Sequence, residues 1–171
     1  MQNYFELFDL ETSFFIDESA LKRSYQLEIS RFHPDNFATK SEPEKLQALQ
    51  NTSLLNSAYS VLKAPLSRAT YLLKLEGMNA FDEKDTAMEE GFLISQIELR
   101  DELEAIEEKK DSLGLDDFIE RVDSFIEEKI ESISEAYNLS GDQQHIKMHV
   151  RELKFFDQLY KEANELMDEW L

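Results

Sequence analysis

Residues 21–35 of this chain read LKRSYQLEISRFHPD and decide how its first half folds. Four apolar residues recur there every three or four positions and so line one face of a helix: Leu21, Tyr25, Ile29 and Phe32. Pro34 disfavours the α conformation in the residue before it, which predicts that the helix ends near Phe32 or His33. The imidazole of His33 and the carboxylate of Asp35 are then held on a stiff, exposed loop. Such a loop is suited to recognition by a partner.

The composition favours a mostly helical protein without cysteine chemistry. A length of 171 residues suits one or two small domains, and four glycines with three prolines fit short connections. There is no cysteine, which excludes disulfides and any zinc or iron–sulfur site with cysteine ligands. No apolar stretch approaches the roughly 18–20 residues that a membrane span needs, and the first residues resemble neither a signal peptide nor a transit peptide. We therefore expect a cytosolic protein.

Charge is distributed very unevenly along the chain. The net charge is −19, of which residues 1–75 carry −1 and residues 76–171 carry −18. A field of this sign repels phosphate backbones, which argues against nucleic-acid binding by the second half. The simplest interpretation of the acidic residues is that they form the solvated faces of helices. The one locally basic element is the helix that leads into His33, with Lys22, Arg23 and Arg31.

The first half is predicted to contain four helices. A short apolar helix over residues 4–10 comes first, and the helix that ends before Pro34 comes second. The predicted N-terminal caps of these two helices are Asn3 and Asp17. Pro43 suits the first turn of a third helix, which should pair antiparallel with the second and carries Leu46, Leu49, Leu54, Ala58, Val61 and Leu62. A fourth, short helix over residues 66–73 follows Pro65.

The second half is predicted to form three amphipathic helices after a linker. Residues 77–88 lack sustained periodicity. The helices span about residues 89–110, 115–137 and 142–170, with Gly114 and Gly141 at the two turns. The fold class is therefore all-α, in three parts: a helical domain over residues 1–75, a linker over residues 76–88 and a three-helix bundle over residues 89–171.

The first helix of this bundle carries two apolar sets. At about 100° per residue, its core stripe comprises Phe92, Leu99, Leu103 and Ile106. A second set lies off this stripe and comprises Leu93, Ile94 and Ile97, with the carboxylates of Glu98, Asp101 and Glu104 on the same side. On the last helix, Phe155 likewise points away from a core stripe of Ile146, Leu153, Phe156, Tyr160, Ala163 and Met167. The off-core residues either pack under the linker or the first domain, or form an exposed patch that binds a protein with an apolar surface and basic residues around it.

The sequence offers little for catalysis or metal binding. A catalytic role for His33 and Asp35 would need a nucleophile or a metal on the same loop, and no glycine-rich phosphate loop occurs. No catalytic residue and no cofactor are therefore predicted. His145 and His149 lie one helical turn apart and could bind a metal with Asp142, but such a pair on an acidic helix is more often solvated or half-buried. No metal site is predicted.

Three features of the first half resemble a J-domain, the part of co-chaperones that stimulates ATP hydrolysis by DnaK-type chaperones. They are the short first helix, the basic second helix that ends in His33-Pro34-Asp35, and the sequence NSAYSVL at residues 56–62. Further stretches are similar to the HscB family, which serves iron–sulfur cluster biogenesis: PLSRATYLL at 65–73, FLISQIELRDEL at 92–103 and LKFFD at 153–157. This resemblance covers essentially the whole chain.

The resemblance implies two binding sites and no enzyme activity of the chain's own. One site would engage an HscA-like DnaK-type chaperone and stimulate its ATPase, through His33, Pro34, Asp35, Lys22, Arg23 and Arg31. The other would bind an IscU-like iron–sulfur scaffold protein and deliver it to that chaperone, through Leu93, Ile94, Ile97, Glu98, Asp101 and Phe155. Neither nucleic acid nor a membrane is implied as a partner, and we expect a monomer in the bacterial cytoplasm.

The chain departs from the family pattern in a few places. Gln26, Leu27 and Glu28 replace a stretch that is usually more basic in J-domains, which predicts weak contact with a general DnaK chaperone. Ala105 stands where related chains often carry an acidic residue. The cysteine-rich N-terminal extension of many eukaryotic members is not present in this sequence, which favours a bacterial form. Two alternatives remain: a J-domain protein with a different client, and a hydrolase that uses His33 and Asp35.

Overall fold

The computed structural model describes residues 3–84 and 88–171. Within those ranges the chain folds into seven α-helices and a single 3-10 turn, with no strand, which confirms the predicted all-α class. The helices are α1 (Tyr4–Leu7), α2 (Glu18–Arg31), α3 (Glu42–Leu62), α4 (Pro65–Leu75), α5 (Glu90–Lys109), α6 (Ser112–Leu139) and α7 (Gln143–Trp170). They form two compact units, Met1–Glu76 and Gly77–Leu171. Over the described residues, no helix combines the length and the apolar character that crossing a membrane requires.

Side-chain caps fix where the first two helices begin. Asn3 and Glu6 form a reciprocal capping box at the start of α1. The carboxylate of Asp17 accepts a hydrogen bond from the N–H of Ala20 at 3.1 Å. These bonds satisfy backbone donors that have no partner inside the helix. The predicted caps are thus confirmed, although α1 ends at Leu7, three residues earlier than predicted.

Helices α2 and α3 pack antiparallel, as the sequence predicts. Tyr25 of α2 stacks on Tyr59 of α3 with ring centroids 4.2 Å apart, and its hydroxyl donates to Asn56 Oδ1 at 2.5 Å. One turn further along α2, Ile29 shares a groove with Thr52, which lies earlier on α3. The core of this unit includes Phe5, Phe8, Leu21, Leu55, Ala58 and Leu62, each at most 5 % exposed.

Three of the apolar residues predicted for α3 do not join this core. Leu46, Leu49 and Leu54 are 56, 66 and 44 % exposed, whereas Ala58 and Leu62 are buried. At about 100° per residue, Leu46 and Leu49 point roughly 150° away from the buried stripe. The regular spacing of leucines on α3 therefore does not identify the face that other helices cover.

Arg68 of α4 is buried and connects two separate parts of the first unit by hydrogen bonds. It is 5 % exposed, and its Nε donates to the Phe14 carbonyl while Nη1 donates to the Leu62 carbonyl, each at 2.8 Å. The guanidinium carbon also lies 4.9 Å from the centroid of the Phe14 ring. Because hydrogen bonds from a charged donor are stronger than neutral ones, Arg68 holds the loop between α1 and α2 against the end of α3.

Replacing Arg68 with methionine is expected to lower the free energy of unfolding by about 2–4 kcal/mol, because two buried carbonyls lose their charged donor. Urea unfolding followed by circular dichroism measures the change. Arg23→Met is the control: it alters an exposed position of α2 and should change stability by less than about 0.5 kcal/mol. Equal stability of the two variants would contradict the contribution assigned to Arg68.

The second unit contains a three-helix bundle of α5, α6 and α7. Its main core cluster comprises Phe92, Leu99, Leu103, Ile106, Leu115, Phe118, Val122, Phe156, Leu159, Ala163 and Leu166. The predicted core stripe of α5 is buried in full, at 7–8 % exposure. Part of the predicted linker belongs to this unit as well: Ala80 is 1 % exposed, and Nζ of Lys154 on α7 lies 4.0 Å from the centroid of the Phe81 ring.

The turn between α5 and α6 differs from the predicted one. Lys110 adopts the left-handed conformation with φ of +50°, and α6 begins two residues later. Gly114 therefore lies in the first turn of α6, so its assignment to the turn was wrong. Its N–H donates to Asp111 Oδ1 at 3.0 Å, and a Cβ at this position would overlap the Asp111 carboxylate. Close approach of the capping side chain, and not a turn conformation, is what favours glycine here. Gly141, with φ of +63°, does mark the second turn.

Candidate functional site

Pro34 has the local effect that the sequence predicts. Helix α2 ends at Arg31, and His33 adopts an extended conformation with φ of −58° and ψ of 138°, which is typical of a residue before proline. Pro34 then opens the 3-10 turn, Pro34–Phe37. The side chains of His33 and Asp35 are 58 and 91 % exposed. The loop therefore presents an imidazole and a carboxylate to solvent.

Short-range hydrogen bonds hold this loop in one shape. His33 Nδ1 accepts from the N–H of Asp35 at 3.2 Å and lies 3.5 Å from Asp35 Oδ2. A neutral ring that accepts at Nδ1 carries its proton on Nε2 and can donate it to a partner there. Asn36 Nδ2 donates to the Ser30 carbonyl at 2.9 Å, which ties the loop to the last turn of α2.

The three predicted cations of α2 are all exposed but do not share one face. At 100° per residue, Lys22 and Arg31 point about 180° apart around the helix, and Arg23 lies between them. The guanidinium of Arg31 is paired with the carboxylate of Glu28 at 2.9 Å. A partner that lies along α2 would therefore meet Arg23 centrally, with the other two cations at the edges.

An apolar groove beside the loop was not predicted from the sequence. It has a volume of about 510 Å³ and its lining includes Ile29, Phe32, Phe37, Ala38, Ala48 and Leu49. The stacked rings of Phe32 and Phe37, 6.3 Å apart, form part of its wall. Such a groove can receive an apolar segment of a partner. The only signal in the sequence was the position of Leu49, which lies off the buried stripe of α3.

Exposure separates the two apolar sets of α5 as periodicity predicts. Leu93, Ile94 and Ile97 are 43, 51 and 63 % exposed, in contrast to the buried core stripe. The carboxylates of Glu98, Asp101 and Glu104 are exposed too. At 100° per residue, these apolar and acidic positions fall within about 140° of the helix circumference. Together they form a continuous surface, which we call the α5 patch. An apolar patch with acidic residues around it is typical of a protein-binding site.

Phe155 of α7 borders this patch and is anchored from both sides. It is half-buried, and it makes edge-on contacts with Phe92 and Phe156 at centroid distances of 5.7 and 5.5 Å. The guanidinium of Arg100 lies 5.5 Å from the Phe155 ring centroid and also pairs with Glu162 of α7. The contact of Arg100 with Phe155 was not predicted from the sequence, because nothing in the α5 pattern indicates that a cation covers an aromatic ring of another helix.

An ion pair network also connects α5 to α6 near this surface. Arg121 of α6 pairs with Glu102 of α5 and with Asp117, the latter at 3.1 Å. The hydrogen bond that Arg121 donates to Glu102 raises the pKa of Arg121, and the bond that it donates to Asp117 acts in the same direction. Among the described residues, no group of three or more histidine and carboxylate side chains is arranged to hold a metal ion.

Similar proteins match this chain along its whole length. Residues 88–164 match the protein family described as the HSCB C-terminal oligomerisation domain. The chain is 39 % identical over 170 residues to a co-chaperone protein HscB homolog of Vibrio parahaemolyticus, covering 99 % of both chains. Its structure is similar to chaperone HscB from Vibrio cholerae, with a TM-score of 0.84 and 35 % identity over 99 % of this chain and 100 % of that one. It is also similar to human co-chaperone protein HscB, with a TM-score of 0.87 and 29 % identity over 96 and 81 % of the two chains. The chain belongs to the HscB family of co-chaperones.

Proposed function

We propose that this chain is a J-type co-chaperone of iron–sulfur cluster assembly. It stimulates the ATPase of an HscA-like DnaK-type chaperone through the His33 loop and delivers an IscU-like scaffold protein through the α5 patch. The observation that carries this proposal is the pairing of two exposed surfaces in one HscB-family chain: a fixed His33-Pro34-Asp35 loop in one unit and an apolar patch with an acidic rim in the other.

The chemistry of the loop is that of recognition. The Asp35 carboxylate is 91 % exposed and can accept a bidentate pair of hydrogen bonds from an arginine of the chaperone. The exposed cations of α2, with Arg23 at their centre, attract an acidic face of the same partner. The groove beside Phe32 and Phe37 then receives an apolar segment, and the chaperone's own residues carry out ATP hydrolysis.

The α5 patch has the composition of a specific protein interface. Leu93, Ile94 and Ile97 provide apolar area at its centre, and Phe155 adds an aromatic ring that its neighbours hold in place. Glu98 and Asp101 favour a partner with basic residues around its own apolar surface.

The protein acts as a monomer in the bacterial cytosol, without a cofactor, and neither nucleic acid nor a membrane is among its partners.

The steady-state ATPase of the HscA-like chaperone is the measurement that tests this proposal. The chain and the scaffold are added first separately and then together. Together they should stimulate the ATPase by much more than the sum of their separate effects. If both favour the same closed state of the chaperone, the scaffold should tighten the apparent binding of the chain by about 5- to 150-fold, a coupling of about 1–3 kcal/mol.

A general DnaK chaperone is the matched control, because Gln26, Leu27 and Glu28 leave α2 less basic than a J-domain for that partner requires. It should respond weakly to the same mixture. Rates that simply add for the HscA-like chaperone would show that the two surfaces do not act on one event, and would rule out delivery of the scaffold.

A further inference from the structure

Two histidines of α7 converge at a place that neither proposed binding surface uses. His145 and His149 lie one turn apart, with their Nε2 atoms 3.2 Å apart and their ring planes at 84°. His145 is exposed, whereas the His149 side chain is 16 % exposed. The only other histidine is His33, and the chain has no cysteine. The pair is therefore the one place in the described residues where two histidine nitrogens meet.

The separation of the two nitrogens is close to the edge length of a tetrahedral zinc site. Zinc–nitrogen bonds of about 2.0–2.1 Å at the tetrahedral angle place two nitrogens about 3.3–3.4 Å apart. Adjacent positions of a square or octahedral site with the same bond length would lie only about 2.9 Å apart. The observed 3.2 Å is closer to the tetrahedral value. Two imidazoles also suit zinc better than they suit magnesium or calcium, which prefer oxygen ligands.

The inner side of His149 is arranged as it is in ligating histidines. Its Nδ1 atom is buried and has no hydrogen-bond partner among the described residues. Glu152 Oε2 lies 3.8 Å from this Nδ1, and Glu152 is 2 % exposed and ion-paired with Lys129 of α6. A histidine that coordinates through Nε2 carries its proton on Nδ1, and a carboxylate behind it commonly orients the ring.

The environment of His149 combines burial with charged side chains of both signs. Burial lowers the pKa of His149, and the charges of Lys129 and His145 act in the same direction, while Glu152 and Glu89 oppose them. The carboxylate of Glu89 also interacts with His149, whereas that of Glu152 is already paired with Lys129.

We propose that His145 and His149 form a chelate for Zn²⁺, bound through both Nε2 atoms with water in the remaining positions. No third histidine or carboxylate of the described residues is placed to complete the set, so the ion is held by two protein ligands and exchanges with solvent. An ion that joins residues four apart stabilises the first turns of α7, because it binds the folded helix more tightly than the unfolded chain.

Titration calorimetry of the full chain with ZnCl₂ tests this inference, in a non-coordinating buffer with excess MgCl₂ to occupy the acidic surface. We expect saturable binding of one Zn²⁺ per chain. His145→Gln should weaken it by at least about tenfold, since even outer-shell partners contribute about 10- to 100-fold to metal affinity. His145 is the residue to change because it is exposed, so the substitution leaves the bundle core intact.

His33→Gln is the matched control, because it removes the remaining histidine and should leave zinc affinity unchanged. Ring resonances in NMR spectra provide a second measurement: Zn²⁺ should shift those of His145 and His149 but not those of His33. Two results would overturn the inference. Unchanged zinc affinity in His145→Gln would place the ion on carboxylates, and no saturable binding at millimolar ZnCl₂ would mean that the two rings only hydrogen-bond to each other.

Discussion

His33→Gln should reduce stimulation of the HscA-like chaperone's ATPase to near the basal rate. The apparent affinity should fall by roughly 30-fold or more, as expected for a residue that contributes about 2 kcal/mol or more at the centre of an interface. The physical reason is the fixed orientation of the ring. His33 Nδ1 accepts the Asp35 N–H, and this bond aims the Nε2 donor outward from the loop. Glutamine retains a donor but has a flexible side chain, so neither the bond nor the direction is preserved.

The stability of the chain should not change in this variant. His33 is 58 % exposed, and exposed substitutions usually alter the free energy of unfolding by less than about 0.5 kcal/mol. His145→Gln, assayed with a chelator present, is the control for loss of an exposed histidine elsewhere and should stimulate normally. Asp35→Asn keeps the shape of the loop and removes only the charge, so it should also stimulate poorly. Normal stimulation by His33→Gln would show that the loop does not take part in stimulating the chaperone's ATPase.

Local rules in the sequence were sufficient to predict the His33 loop. The restriction that Pro34 places on its predecessor predicted the end of α2, and the Asp17 carboxylate predicted its start. Both are interactions between residues close in the chain, so they depend little on the rest of the fold. The core stripe of α5 could also be predicted locally, because helical periodicity alone distinguished the buried Leu99 from the exposed Ile97.

Features that depend on a second element could not be predicted in this way. Leu46 and Leu49 repeat at helical spacing, yet none of the helices that the structure describes covers that face of α3, and both leucines remain exposed. The sequence did not indicate that Arg68 is buried, because one of its two hydrogen-bond acceptors, the Phe14 carbonyl, lies 54 residues away in the chain. The position of Arg100 over Phe155 likewise depends on how α5 packs against α7. Periodicity shows which residues share a face, but not what covers it.

The triple variant Leu93→Ala, Ile97→Ala, Phe155→Ala should lose binding of the IscU-like scaffold by about 100-fold or more, because a few central apolar residues carry most of the energy of such an interface. Calorimetric titration of the scaffold into the full chain measures this loss. The same variant should still stimulate the chaperone's ATPase in the absence of scaffold, because its His33 loop is unchanged. Only the extra stimulation that depends on the scaffold should disappear.

The contribution of Phe155 to scaffold binding has to be separated from its contribution to the stability of the bundle. This ring contacts Phe92 and Phe156 in the bundle, so Phe155→Ala also removes core packing, whereas Leu93 and Ile97 are exposed at 43 and 63 %. The double variant Leu93→Ala, Ile97→Ala should therefore lose scaffold binding while keeping the wild-type unfolding curve. Its matched control changes two leucines that are 81 and 85 % exposed elsewhere on the same unit, Leu113 and Leu139, and should bind normally. If the double variant binds the scaffold as tightly as this control does, the α5 patch belongs to a different client, and the delivery step must be assigned to another surface.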